Sequence, residues 1–107
     1  MNAPTPGPWS VFKPRGEGRE LLIAQTEGDR AVATVHHTVP ATEAVANAHL
    51  FSASLEMLAT LRLARGVLAA ALRAACPDMF ETDADIDAHL AIKDIDNAIA
   101  KATGKPA

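Results

Sequence analysis

The sequence predicts an α+β fold, in which a small antiparallel sheet of three strands is followed by two main α-helices. Two observations support this prediction. The first 39 residues contain short β-branched and aliphatic runs separated by loops with glycine. After Pro40 the chain becomes rich in alanine and leucine at helical spacing. A chain of 107 residues is expected to form one domain.

The strands are expected to form a meander over residues 9–39. Residues 1–8, which contain three prolines and one glycine, precede it as an irregular lead-in. The strand signals are "WSVF", "LLIAQT" and "AVATVHH", and the short "EGDR" between the last two indicates a hairpin loop. Short loops favour antiparallel pairing, and helices are then expected to cover one face of the sheet.

Two helical segments are expected after the sheet, at residues 42–76 and 82–103. Thr42 is the predicted N-cap of the first, and Pro77 ends it. Thr82 or Asp83 is the predicted N-cap of the second, and Gly104 is expected to follow its last turn. The first segment carries an apolar stripe, made of Leu58, Leu61, Leu68 and Leu72.

Composition points to a non-membrane protein that self-associates. The aromatic residues are Trp9 and three phenylalanines, and much of the apolar content is alanine, so the core is thin. A second copy packing on the leucine stripe would complete such a core, which predicts a homo-oligomer. The one cysteine, Cys76, fits a reducing cytoplasm. No signal peptide or membrane span is recognisable in the sequence.

Motifs for catalysis, metals and cofactors are not recognised, so a non-enzymatic protein without a cofactor is expected. The sequence contains no nucleophile elbow, P-loop or dinucleotide fingerprint. His36 and His37 would point to opposite faces of a strand, and "DADID" lacks the glycine and glutamate of a calcium loop. The net charge of −3 and the lack of a broad basic patch argue against sequence-specific nucleic-acid binding.

Four segments carry a resemblance to known proteins: "TPGPW", "VATV", "ANAHLFSASLEMLATL" and "AIAKATG". Together they resemble a group of small phage and prophage proteins that typically show "TPGPW" near the start and "ANARLIAAAPELLEAL" in the middle. The resemblance covers nearly the whole chain and implies a phage origin, with action in the cytoplasm of the infected bacterium.

The same resemblance bears on the first helical segment. The group often has a proline where this chain has Leu55, and proline suits the first position of a helix with Ser54 as its cap. We therefore expect a bend near Ser52–Ser54, a continuous helix being the alternative. Before the bend, one face is expected to meet the sheet, formed by Ala46, Leu50 and Ala53.

Two functions from different classes are compatible with these features. The first is sequestration of a cyclic or ADP-ribose-derived nucleotide, an immune signal, by an oligomer. Trp9 or Phe12 would stack on the base, and the phosphates would be neutralised by Arg15, Arg19, Arg30, Arg62 and Arg65. Phage proteins that sequester such signals are similar to this chain in architecture alone. The positions of the arginines, near strand ends and on an alanine-rich helix, favour this hypothesis.

The alternative is a protein-binding inhibitor of a host defence complex, such as an anti-CRISPR-like factor. Residues 78–96 carry seven acidic residues against Lys93 alone. An acidic surface of this kind would occupy a basic nucleic-acid channel by electrostatic complementarity.

Overall fold

A computed structural model of the chain describes residues 3–13, 20–28, 30–35 and 40–105. It contains a sheet followed by helices, which confirms the predicted α+β class with its antiparallel sheet. The elements in chain order are β1 (Trp9–Phe12), β2 (Leu21–Gln25), β3 (Ala31–Val35), α1 (Ala41–Ser52), α2 (Ser54–Ala75), α3 (Asp83–Asp87) and α4 (Leu90–Thr103).

The chain divides into two compact units, Met1–Leu55 and Glu56–Ala107. The first contains the sheet, α1 and the beginning of α2, and the second contains the rest of α2 with α3 and α4. This division does not test whether the chain forms the single domain expected from its length, which stays a prediction.

The sheet of the first unit is an antiparallel meander with β2 in the centre. Trp9 of β1 pairs with Gln25, and Leu21 of β2 pairs with Val35 of β3. A register shift falls between Ile23 and Ala24, where β2 pairs with β3. Alternate side chains of a strand point to one face, so Leu21 and Ile23 enter the core together. The buried cluster consists of Leu21, Ile23, Val35, Ala44 and Ala48, with Trp9, Val11 and Val32 packed against it.

Helix α1 covers the sheet with two alanines. Ala44 and Ala48 lie one turn apart and are completely buried, which lets the helix backbone approach the strands closely. The prediction that Ala46 and Leu50 face the sheet is wrong, since Ala46 is exposed and Leu50 is 58% exposed. In an alanine-rich helix the faces differ little in hydrophobicity, so the pattern does not identify the buried one.

The first helix also begins differently from the prediction. Pro40 occupies the N-cap position, its carbonyl accepts a hydrogen bond from the backbone N–H of Ala44 at 3.0 Å, and its side chain makes no cap. Thr42, predicted as the cap, lies inside α1. Proline takes this role because its fixed φ already suits the start of a helix.

At the expected bend near Ser52–Ser54, a single residue separates α1 from α2, and the bend itself stays a prediction. Ala53 is the C-cap of α1 and keeps a right-handed helical backbone conformation. Ser54 is the first residue of α2 rather than its cap. The Ser52 hydroxyl donates to the carbonyl of His49, and the Ser54 hydroxyl donates to the carbonyl of Phe51, both at 2.8 Å. Such bonds from serine to preceding carbonyls compete with the helical hydrogen-bond pattern.

The C-terminal segment forms two helices instead of the one predicted over 82–103. Thr82 caps α3 in a capping box with Asp85, as one of the two predicted caps. His89 then caps α4, because its Nδ1 accepts a hydrogen bond from the backbone N–H of Ala91 at 3.1 Å. Gly104 ends α4 in the left-handed conformation with φ 71°, as predicted.

Candidate functional site

The turn between α2 and α3 holds its backbone in a fixed conformation. The backbone N–H groups of Met79 and Phe80 donate to the carbonyl of Cys76 at 3.0 and 3.2 Å. At the other end, the N–H groups of Glu81 and Thr82 donate to Asp85 Oδ2 at 3.1 and 3.0 Å. These bonds lower the pKa of the Asp85 carboxyl, foremost the one from the Thr82 backbone. The backbone of this turn is therefore held by hydrogen bonds at both ends, so ordering it on binding would cost little further entropy.

Two large apolar side chains are exposed, one in this turn and one at the start of α4. Met79 is 69% exposed and Leu90, the first residue of α4, is 78% exposed. The rings of Phe80 and His89 meet between them, with centroids 6.0 Å apart. Because Met79 precedes Phe80 and Leu90 follows His89, the ring contact brings the backbone at Met79 near the backbone at Leu90. With the exposed carboxylates, these two residues form what we call the connector surface: Asp78, Met79, Glu81 and Leu90.

Arg65 of α2 is engaged by two aspartates of the same unit. Its Nε lies 2.5 Å from Asp96 Oδ1 and its Nη2 lies 3.1 Å from Asp96 Oδ2, a bidentate arrangement. The same Nη2 lies 2.7 Å from Asp87 Oδ1. The hydrogen bonds, that to Asp96 foremost, raise the pKa of Arg65, and the Arg65 guanidinium holds the pKa of Asp96 below its usual value.

The ion pairs divide the acidic segment into two groups. Asp87 and Asp96 bind Arg65, and Asp83 pairs with Arg73. Asp85 is used in the capping box. The acids left exposed outside these interactions are Asp78, Glu81 and Asp94. Of these three acids, Asp78 and Glu81 belong to the turn between α2 and α3, whereas Asp94 lies on α4.

The candidate nucleotide residues of the first unit are placed at both ends of the sheet. Trp9 is half-buried against the core, and its Nε1 donates to the carbonyl of Thr5 at 3.1 Å. Arg30 is at the same end, since its carbonyl binds the N–H of Gln25, which pairs with Trp9. Phe12, 42% exposed, pairs with Leu22 at the other end. Arg15 and Arg19 lie outside the described residues, as do His36 and His37.

The other candidates lie on α2, in the second unit. Arg62 is exposed, and none of the ion pairs between described residues includes it. Arg65 is held by Asp87 and Asp96, so its guanidinium is not open to a phosphate without breaking those contacts. All four leucines of the stripe predicted as an oligomer interface are half-buried: Leu58, Leu61, Leu68 and Leu72.

The structure contains a small crevice near the start of the chain, which no sequence motif indicates. It has a volume of about 130 Å³, below the roughly 300–1,000 Å³ of common ligand pockets. Its lining residues are Gly7, Pro8, Gln25, Glu27 and Gly28. A pocket of this size does not enclose a nucleotide.

The "TPGPW" segment beside this crevice fastens the start of the chain to the first unit. The carbonyl of Pro6 accepts from Gln25 Nε2 at 3.0 Å, and that of Pro8 accepts from the N–H of Thr26 at 2.9 Å. A Cβ at Gly7 would lie 2.8 Å from Leu55 Cδ1, so a side chain there would displace the leucine. The motif therefore has a structural role, joining the chain start to the hairpin and to the first turn of α2.

Metal and membrane features can be assessed for the part of the chain that the structure describes. Within residues 3–13, 20–28, 30–35 and 40–105, no three His, Cys, Asp or Glu side chains are arranged to hold a metal ion. Among those same residues, no helix has the length and apolar character needed to cross a membrane.

Comparison with known proteins identifies one family. A family model described as Salmonella phage P22 protein Y8K6 matches residues 1–106. No curated protein and no solved structure matches the chain. The family match confirms the resemblance to a phage protein family, whereas the individual motifs that indicated it stay untested. Because the match extends over almost every residue, the chain belongs to the family of Salmonella phage P22 protein Y8K6.

Proposed function

We propose that this phage-family protein is a non-enzymatic accessory factor that binds and inhibits a host defence protein in the cytoplasm of the infected bacterium. The observation that supports this proposal is the connector surface. Met79 is exposed in a hydrogen-bonded turn and lies between the exposed acids Asp78 and Glu81 in the sequence. The contact between the Phe80 and His89 rings connects this turn to the start of α4, where Leu90 is exposed. Membership of a phage family is consistent with such a role.

The negative charge of the connector surface favours a positively charged partner protein. Exposed apolar side chains surrounded by charge resemble the core and rim of a protein interface. Carboxylates at the rim accelerate association with a positively charged partner, and the fixed turn reduces the entropy lost on binding. The nucleic-acid channel of a defence nuclease or CRISPR effector offers positive charge of this kind.

Charge reversal on the connector surface tests the proposal. We expect Asp78→Lys/Glu81→Lys to weaken binding of a basic nucleic-acid-binding defence protein by about tenfold or more, because both rim carboxylates become repulsive. The assay is co-purification from infected cells, followed by titration of the purified pair at rising salt. Binding of the unmodified protein should fall steeply with salt, since rim charges are screened.

Glu43→Lys is the matched control for this charge reversal, since it reverses an exposed acid on α1 in the other unit. It should bind as the unmodified protein does. The proposal that the partner binds the connector surface would be refuted if the affinity did not change with salt concentration. It would also be refuted if Glu43→Lys weakened binding as much as the charge reversal does.

A second candidate, sequestration of a nucleotide immune signal by an oligomer, is favoured by one observation. Arg62 is exposed on α2 and outside the ion pairs of the described residues, so its guanidinium is accessible to a phosphate. Trp9 and Arg65 support this function less, because both are engaged within the chain.

A thermal-shift panel decides on this second candidate. If it holds, one class of cyclic or ADP-ribose-derived nucleotide should raise the Tm, and Arg62→Ala should reduce the shift. Glu27→Ala, an exposed change at the β2–β3 turn, is the control and should leave the shift intact. No shift with any nucleotide of the panel would exclude sequestration of these ligands.

A further inference from the structure

Helix α2 has two opposite faces with the same three-and-four spacing. On the first, which we call the inner face, the residues are half-buried: Leu58, Leu61, Arg65, Leu68 and Leu72. Arg65 in the middle of this face binds Asp87 and Asp96 of the α3–α4 region. Residues three or four apart lie on one side of a helix, so the leucines next to Arg65 are turned toward α3 and α4 as well.

The outer face of α2 carries the second series, Thr60, Leu63, Val67, Ala70 and Ala74. All five are exposed, Leu63 by 68% and Val67 by 62%, and none is charged. An uncharged series at this spacing is the pattern of a helix that pairs with another helix. Gly66 lies beside it, and a Cβ there would meet no atom within 4 Å, so the backbone is open to close approach.

We propose that a second copy of this chain docks on the outer face, with the two α2 helices antiparallel about a two-fold axis. In this arrangement Leu63 packs against the partner's Val67, and Thr60 against the partner's Ala70. The same patch then serves both copies, as a two-fold interface requires. The predicted leucine stripe is the inner face, so the proposed dimer uses the opposite side of the helix.

The charges at the two ends of α2 favour another copy of this chain as the partner, and they favour an antiparallel arrangement of the two helices. Glu56 is in the first turn and Arg73 is in the last turn, beside the outer face. Antiparallel pairing places Glu56 near the partner's Arg73 at both ends, and it also opposes the two helix dipoles favourably. Parallel pairing would place like charges together. Arg73 already contacts Asp83 but is still 47% exposed, so it can accept a second carboxylate.

The size of the face predicts a reversible dimer. A helix of 22 residues is about 33 Å long and about 10 Å wide. Two such faces bury an area at or below the lower limit of standard protein interfaces. The dimer is therefore expected to form at micromolar or higher concentrations and to dissociate on dilution. It does not depend on the connector surface, whose residues lie outside α2.

Sedimentation over a series of concentrations tests the dimer. We expect the unmodified protein to shift from monomer toward dimer as concentration rises from low to several hundred micromolar. Leu63→Lys/Val67→Lys should stay monomeric throughout, with its far-UV circular dichroism unchanged because both residues are exposed. Leu50→Lys, which charges an exposed leucine of α1, should dimerise as the unmodified protein does.

Disulfide cross-linking tests the direction of the pair, in a Cys76→Ser background. Leu63→Cys mixed with Val67→Cys should give a cross-linked dimer, whereas either variant alone should give little, since each residue faces the other in an antiparallel pair. A protein that stays monomeric at every concentration overturns the proposal. So does a dimer that persists in Leu63→Lys/Val67→Lys, or cross-linking of Leu63→Cys with itself alone.

Discussion

Replacing Ile23 by alanine is expected to lower the free energy of unfolding by about 2–5 kcal/mol. Ile23 is 1% exposed at the middle of the central strand, where β1 and β3 pair on either side of it. The substitution removes buried carbon atoms and leaves a cavity, and Ala44 and Ala48 opposite are too short to fill it. Because small proteins are stable by roughly 5–15 kcal/mol, much of the total is lost. Urea denaturation followed by circular dichroism measures the change.

Two further substitutions allow the loss of unfolding free energy in Ile23→Ala to be compared with smaller expected losses. Ile23→Val keeps most of the volume and should cost about 0.5–1.5 kcal/mol. Val45→Ala removes a side chain of α1 that is 37% exposed, and should cost less than Ile23→Ala. If Ile23→Ala were no more destabilising than Val45→Ala, the strand would not be packed as described.

Replacing Arg65 by methionine is expected to lower the free energy of unfolding by about 1–2 kcal/mol at neutral pH. Methionine keeps an apolar stem and removes the guanidinium that joins Asp87 and Asp96. The expected loss of unfolding free energy is small because the side chains of Arg65 and Asp96 are 31% and 41% exposed, and water screens their attraction. Arg62→Met, one turn away and outside this cluster, is the control and should cost less.

The effect of Arg65→Met should depend on pH in one direction. The pKa of Asp96 is lower in the folded protein than in the unfolded chain, whose value is about 3.9. The pair therefore contributes fully above that unfolded value, and its contribution disappears as the pH falls through the folded pKa. Arg65 stays charged throughout, because its pKa is raised further.

Urea denaturation at neutral pH and at a series of decreasing pH values below about 3.9, the pKa of an unfolded aspartate, measures this dependence. The unmodified protein and Arg65→Met should differ at neutral pH and converge in acid. A double-mutant cycle with Asp96→Asn isolates the pair from other effects of each substitution. A loss of the same size at both pH values would show that packing, and not the ion pair, is what the variant removes.

The sheet could be predicted because its signals are local. The strands at Trp9–Phe12 and Leu21–Gln25 have side chains that favour pleated structure, and the loops between strands contain glycine. Thr82 and Gly104 were recognisable as helix ends for the same reason, since each cap depends on a few neighbouring residues.

Features that depend on contacts distant in the sequence were not predictable. The pairing of Arg65 with Asp96 joins residues 31 positions apart on different helices, so the sequence alone does not show that this arginine is engaged. His89 is an uncommon N-cap, so no standard capping residue in the sequence marks the division between α3 and α4. The connector surface depends on the ring contact between Phe80 and His89, which no spacing rule shows.

Cys76, the one cysteine of the chain, is exposed where α2 meets the turn that carries Met79. A maleimide dye would therefore attach at a single position without any substitution, giving every molecule the same label. Because that label would stand at the border of the connector surface, docking of a target should alter its fluorescence anisotropy and emission. The native thiol thus supplies a labelling site for testing whether the proposed host partners bind this phage-family protein.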